Sequence, residues 1–253
     1  MRRLGGWDLS MAWAASESEF RARFWFIMGV FWLGFLLYFV DHKNVCAALS
    51  AFIFRHHPGS SAQMDRLIIG LFWAGTFLAG WAALIRTWAG AYLRSSIVHD
   101  AGLHGEQLVA DGPYRHLRNP LYLGNMFLAL GIGVLAPRSG FFVIVIGMWM
   151  IVYRLIGREE ITLLASQGEG YRRYLAAVPR LWPALTPRVP ASGAKPNWMD
   201  GFTSEMMMWA AALAMAVFTM TENLGYFWAV FGTGMAIYFL QAYWRGRAKK
   251  TVA

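Results

Sequence analysis

Six stretches of this chain, 24–40, 67–85, 121–136, 140–156, 206–220 and 224–244, are apolar almost throughout, and nothing else in the sequence limits the fold as much. A backbone exposed to lipid has no water to satisfy its N–H and C=O groups, so only helices and closed barrels cross a bilayer. Runs of Leu, Ala, Met and Phe without alternation read as helices, because barrel strands alternate apolar and polar residues. A crossing takes about 20 apolar residues, and only 67–85 and 224–244 come close without their flanks. A further apolar stretch, 45–54, is too short to cross and is expected at the surface or as a re-entrant segment. Hydrophobic residues make up 57% of the chain and charged ones 15%, against about 25% charged in soluble domains, which excludes an ordinary soluble fold. The expected fold class is all-α and integral to a membrane, with about six transmembrane helices.

Positive charge sets the orientation, since Lys and Arg beside a span are retained on the cytoplasmic side. With both termini inside, all 23 Lys and Arg except Lys43, Arg55, Arg66 and Arg138 fall in cytoplasmic segments. Two of those segments are large, 86–120 and 154–205, and a cofactor pocket is expected at that face. In a bacterium the location would be the cell membrane. The net charge of +9 flanks apolar helices and forms no stripe on a soluble domain, so anionic headgroups rather than nucleic acid are the expected partner. The single cysteine, Cys46, excludes an intrachain disulfide and a cysteine metal cage. Residues 1–20 carry Arg2 and Arg3 but no apolar core with a cleavage site, so the first span reads as an uncleaved anchor.

Composition divides the chain into N-terminal spans (1–90), a mixed polar and apolar core (91–183), a linker (184–204) and a final apolar hairpin (205–253). Pro187, Pro190 and Pro196 make 184–197 extended and non-helical. The final hairpin reads as an appendage that walls off a substrate tunnel or joins two copies into a homo-oligomer. Its Met206, Met207, Met208 and Met215 are more simply adaptable packing residues.

The stretch 102–120, GLHGEQLVADGPYRHLRNP, is far more polar than its neighbours. Asp111-Gly112-Pro113 is a turn signal, with Pro113 expected to push Gly112 to an extended shape. Asn119-Pro120 reads as a helix start, with Asn119 as the cap and Pro120 in the first turn. A helix N-terminus beside Arg115 and Arg118 suits a carboxylate or phosphate. Tyr114 and Tyr122 add aromatic faces for a purine or a sulfonium. A capped loop with arginines on lipid headgroups would also account for this pattern.

The second informative stretch follows the fourth apolar run: Arg158-Glu159-Glu160, then Ile161, Leu164, Tyr171, Tyr174 and Val178 on a helical stripe. Neighbours on a helix are about 100° apart, so at most one of the two glutamates faces a given pocket. Pairing of both with Arg154, Arg158 or Arg172 on a solvated face is the alternative.

Taken together, GPYRHLRNPLYLG and, one hairpin later, REEITLLASQGEGYRRYLAAVPRLWP resemble the membrane methyltransferases that include isoprenylcysteine carboxyl methyltransferase and phosphatidylethanolamine N-methyltransferase. The resemblance covers residues 86–183. It implies S-adenosyl-L-methionine as cofactor, in a pocket open to the cytosol for the cofactor and to the bilayer for a lipid-like substrate. It implies that Gly112, Pro113, Tyr114, Arg118, Asn119, Pro120 and Tyr122 line the cofactor from one side and Glu159 or Glu160 from the other. His104, just upstream, is a further candidate neighbour. Arg118, Glu159 and Glu160 are the candidate catalytic residues: a glutamate for the amino or ribose hydroxyl groups, Arg118 for the carboxylate or the acceptor. Many members carry His where this chain has Asn119, whereas phospholipid methyltransferases also place Asn before that Pro, which leans toward an amine lipid.

An amine acceptor needs a base, for which Glu159, Glu160 and His116 are nearby, whereas a carboxylate or thiolate needs none. No metal is expected, because His99, His104 and His116 lack ligand spacing on a helix and His56-His57 belongs to the other face. Two rival readings stand beside methyl transfer. One is an NADPH-dependent membrane sterol or enone reductase, which tends to carry RHPNY where this chain has RNPLYLGN. The other is a non-catalytic membrane protein that retains the fold.

Overall fold

The computed structural model describes residues 13–56, 59–100 and 110–251. They form helices α1 (Glu17–Arg21), α2 (Arg23–Leu36), α3 (Val45–Ile53), α4 (Ser61–Asp100), α5 (Pro120–Gly133), α6 (Arg138–Ala177), α7 (Trp198–Ser204), α8 (Met206–Thr221) and α9 (Leu224–Thr251). Short 3₁₀ turns, Leu37–Phe39 and Gly112–Arg115, follow α2 and precede α5, and no strand occurs among the described residues. Fold class is thus all-helical, as the unalternating apolar runs require.

By length and apolar composition α4 and α6 can each cross a bilayer, and α7 with α8 makes a third crossing if their 64° bend lies within one span. Of the six crossings expected, two to three are therefore supported among the described residues. Helices α2 and α5 have 14 residues each, about 21 Å at 1.5 Å per residue, short of a hydrocarbon core of about 30 Å. Run 121–136 overcounts because the chain turns after Gly133 and restarts at Arg138. Conversely, α4 and α6 have 40 residues each and continue well past their apolar runs, so part of the stretch read as a polar loop, through Asp100, is helix.

One end of the bundle is closed by polar contacts. The Tyr38 hydroxyl donates to the Leu135 carbonyl (2.7 Å), and Asn44 caps α3 through Oδ1 while its Nδ2 donates to the Val134 and Ala136 carbonyls (3.0 and 3.2 Å). Asp41 pairs with Arg138 at 2.9 Å and accepts from the Ser139 amide. These bonds satisfy the backbone of the turn between α5 and α6, which has no helical partners of its own.

Between the ends, helices approach through glycines. A Cβ added to Gly75 on α4 would stand 2.7 Å from the Gly131 carbonyl oxygen of α5 and 2.6 Å from Val134 Cγ2. The same addition at Gly140 on α6 would meet the Gly34 carbonyl of α2 at 2.1 Å. Around these crossings Ile144, Met148, Val152, Ile156 and Met215 are completely enclosed.

Gly75→Ala is expected to cost about 1–3 kcal/mol by forcing backbone apart, whereas Gly80→Ala on the same helix faces open space and gains up to about 1 kcal/mol of helix propensity. Thermal midpoints of the two detergent-purified variants should therefore move in opposite directions.

Candidate functional site

The Gly112–Arg115 turn is held in place from both sides. Gly112 adopts φ +57°, not the extended shape expected before Pro113, and a Cβ there would lie 2.4 Å from the Tyr92 ring on α4. Glycine is required both for the left-handed backbone and for the ring's approach. Beneath the turn, the Tyr174 hydroxyl donates to the Tyr114 carbonyl (2.8 Å), and Tyr171, Tyr174, Leu175 and Val178 form an apolar cushion with Ala110. That cushion reaches the turn because α6 breaks at Gly168 (φ 56°, ψ −129°), which redirects the chain after the long helix.

The two motifs meet at Glu160. Its carboxylate is buried (5% exposed) and pairs with Arg118 Nη2 at 3.3 Å. From the tail, Arg180 Nε donates to Oε2 at 3.1 Å, and its Nη2 forms a second close contact there. Arg118 Nη1 also donates to the Leu175 carbonyl (3.1 Å), and the Arg118 amide to the Pro179 carbonyl (2.9 Å). Asn119 does not cap α5 with its side chain; its Nδ2 donates to the Arg180 carbonyl at 3.0 Å. Pro120 does occupy the first helical position.

Glu159 points elsewhere, as a 100° step dictates. The Tyr122 hydroxyl is turned toward its carboxylate, and it forms no salt bridge among the described residues, with Arg23 acting on it only through space. The solvated-face alternative fails for both glutamates: Arg154 pairs with Glu19, Arg158 with Glu17 and Arg172 with Glu169.

Among the described residues, two of the buried donors without a protein partner lie in this cluster, the Tyr114 hydroxyl and Arg118 Nε. Burial, with Glu159 next in effect, lifts the Tyr114 phenol well above its ordinary range, so it remains a protonated donor. Burial also pulls the Arg118 guanidinium down, opposed by Glu160. Both atoms are enclosed, hydrogen-bond competent and unspent, a state that buried polar groups rarely occupy.

Residues 184–197 form a strap over the turn. The Ala184 amide donates to the His116 carbonyl (2.9 Å), the Arg188 amide to the Arg115 carbonyl (2.8 Å), and Arg115 Nε to the Val189 carbonyl (2.9 Å). His116 Nδ1 stands 2.9 Å from the Ala184 carbonyl, so that nitrogen carries the proton and the ring pins the strap. Buried Asp111 accepts from the Ser192 amide (3.0 Å), the Ser192 hydroxyl (2.6 Å) and the Ala194 amide (2.8 Å). The expected extended, non-helical segment is present, but bound along its length.

Gly112, Pro113, Tyr114, Arg118, Asn119, Pro120, Tyr122, Glu159 and Glu160 are therefore neighbours, while His104 and His57 lie outside the described residues. Sequence reasoning missed Arg180, whose only signal is a basic residue in a Pro-flanked tail, and missed the role of Asp111 beyond its turn. A cavity of about 30 Å³ lined by Ala15, Glu19, Phe26, Ile151, Arg154 and Leu155 lies apart from this cluster and holds no more than water.

Asp111→Ala should free the strap, leaving the Ser192 and Ala194 amides unpaired at a cost of about 1–3 kcal/mol, and limited proteolysis within 184–197 should accelerate. Burial alone would raise the Asp111 carboxyl, but the bonds from Ser192 and Ala194, with Arg115 nearby, hold it below its ordinary value. A depressed folded-state value means the stabilisation is complete above the ordinary carboxylate range and is lost as pH falls through the depressed value. Wild-type cleavage in the strap should thus rise only in strong acid.

Comparison with known proteins finds similarity over the part of the chain that carries most of the cluster. The chain is 25% identical over 142 residues to the cobalt-zinc-cadmium resistance protein CzcN of Cupriavidus metallidurans, an alignment covering 56% of this chain and 61% of that protein. The chain thus spans about three fifths of the length of the curated relative it matches. No solved structure matches. Residues 66–167, from α4 through both glutamates of α6, match the family model described as phospholipid methyltransferase.

Proposed function

We propose that this chain is an integral membrane methyltransferase that uses S-adenosyl-L-methionine to methylate a lipid-like acceptor, a phospholipid amine or an isoprenyl-type carboxylate or thiol, at the cytoplasmic face. One observation carries the reading: residues about forty apart in sequence, in the two motifs that suggested the family, share one buried charged cluster with donors left unspent. The phospholipid methyltransferase match over 66–167 supports the same chemistry, and the long apolar helices support the setting.

The residues fit the cofactor group by group. Arg118 Nε and the Tyr114 hydroxyl are donors for a carboxylate, Glu159 is an acceptor for an ammonium or ribose hydroxyls, and the rings of Tyr114 and Tyr122 suit a sulfonium or purine. The cofactor, when bound, supplies a methyl group on sulfur that leaves readily as a neutral thioether. The protein's share is to hold the acceptor in line and keep water out, and no covalent nucleophile is required. Glu160, fixed by Arg118 and Arg180, acts by orienting Arg118. For an amine acceptor, Glu159 is the carboxylate available to take the proton, since His116 is committed to the strap.

Glu159→Gln, which breaks no salt bridge, should weaken S-adenosylhomocysteine binding measured by calorimetry about tenfold or more, while the thermal midpoint stays close to wild type. Purified wild type should transfer label from S-adenosyl-L-methionine to lipid extract and should be stabilised by that cofactor and not by NADPH. Unchanged affinity in the variant together with stabilisation by NADPH would overturn the assignment.

A further inference from the structure

Arg86 follows directly on the apolar run 67–85 and lies within Ser61–Leu93, the part of α4 that is long and apolar enough to cross a bilayer. A guanidinium there is costly unless every N–H finds a partner, and this one is well supplied. Nε and Nη2 donate to the two oxygens of Glu205, at 2.6 and 3.2 Å. Nη1 donates to the Leu121 carbonyl (3.0 Å) and to Asn125 Oδ1 (2.8 Å), both on α5. The side chain reaches α5 by passing over Gly124, where a Cβ would stand 2.4 Å from Arg86 Cγ. Glu205, 6% exposed, sits at the bend between α7 and α8, beyond the family segment that ends at 167.

Packing alone already holds α7 and α8 to α4. Gly201 lies against Thr87 and Ala91, Trp209 Nε1 donates to Thr87 Oγ1 (2.9 Å), and the Asn197 amide donates to the Ala91 carbonyl (2.9 Å). A buried ion pair adds little stability over an apolar pair of similar volume. What an apolar pair could not do is grip the Leu121 carbonyl and Asn125 in the opening turns of α5. Those turns follow Asn119 and Pro120 and carry Tyr122, and the Arg86–Glu205 pair is near enough to Tyr114 to act on its hydroxyl through space.

We propose that Glu205 is a positioning residue of the methyl-transfer site: by fixing the Arg86 fork it fixes the first turns of α5, so the final hairpin belongs to the working unit and is no appendage. The assignment rests on the methyltransferase reading for what the turns position, but the positioning itself is measurable without it. Hydrogen–deuterium exchange on the full-length protein in detergent should show residues 119–126 exchanging about tenfold faster in Glu205→Gln, with partial recovery in Glu205→Asp. Arg86→Lys, which keeps the charge and loses the fork, should show the same acceleration if Glu205→Gln fails to fold. Trp209→Phe, which loosens the same interface without touching Arg86, should leave 119–126 unchanged. In parallel, S-adenosylhomocysteine affinity should fall about tenfold in Glu205→Gln and Arg86→Lys and stay at the wild-type value in Trp209→Phe. Unaltered exchange in both Arg86→Lys and Glu205→Gln, or equal acceleration in Trp209→Phe, overturns the proposal. Absence of S-adenosylhomocysteine binding in wild type overturns the methyltransferase reading instead and leaves the positioning judged on exchange.

Discussion

The site depends on one buried carboxylate shared by two guanidinium groups. Glu160 is 5% exposed, and both Arg118 and Arg180 are turned onto it from segments on either side of α6 in the chain. Breaking such a pair by removing one partner costs about 3–5 kcal/mol, because a charge is then left buried and uncompensated. Much of the surrounding geometry follows. Helix α6 must run on past its apolar stretch to carry Glu160 to the level of the turn. It must then break, at Gly168, so that the tail can return with Arg180. A backbone bond from the Arg118 amide to the Pro179 carbonyl and a side-chain bond from Asn119 Nδ2 to the Arg180 carbonyl align the returning tail with the start of α5.

Segments outside the family match complete the enclosure. The strap 184–197 lies along the turn through Asp111, Arg115 and His116, and the α7–α8 bend places Glu205 against Arg86. Each uses a charged or polar group of the matched segment that would otherwise lack a partner in a low-dielectric setting. The strap needs no helix to do so: its prolines remove N–H groups that would need partners, and the amides of Ala184, Arg188, Ser192 and Ala194 are spent on the turn.

Much of this was legible in the sequence, and the failures have physical causes. Apolar runs revealed helices, but hydropathy measures burial against lipid, not helix length, so α4 and α6 were cut short and α5 was overrun. The meeting of GPYRHLRNP with the twin glutamates was legible from the motifs, whereas their partners were not. Arg180 is one basic residue among several in the tail, and only the break at Gly168 turns it inward. Arg86 fell at the edge of an apolar run and read as loop; recognised as part of the helix, it would have stood out as a charge in need of a partner within the bundle. Asn119 looked like a cap because Asn-Pro usually is one, yet a nearby carbonyl from the tail claimed its amide.

The division between the two glutamates is the last consequence of helix geometry. Adjacent residues differ by about 100°, so a carboxylate committed to Arg118 and Arg180 leaves its neighbour facing a different quarter. There Glu159 meets Tyr122 and, among the described residues, no salt-bridge partner. The cluster of Arg118, Arg180 and Glu160 holds two guanidinium groups against one carboxylate, and the Glu159 side chain stands apart from both arginines. Paired glutamates therefore give something that one glutamate could not: one is spent on the two arginines while the other keeps its carboxyl group clear of them.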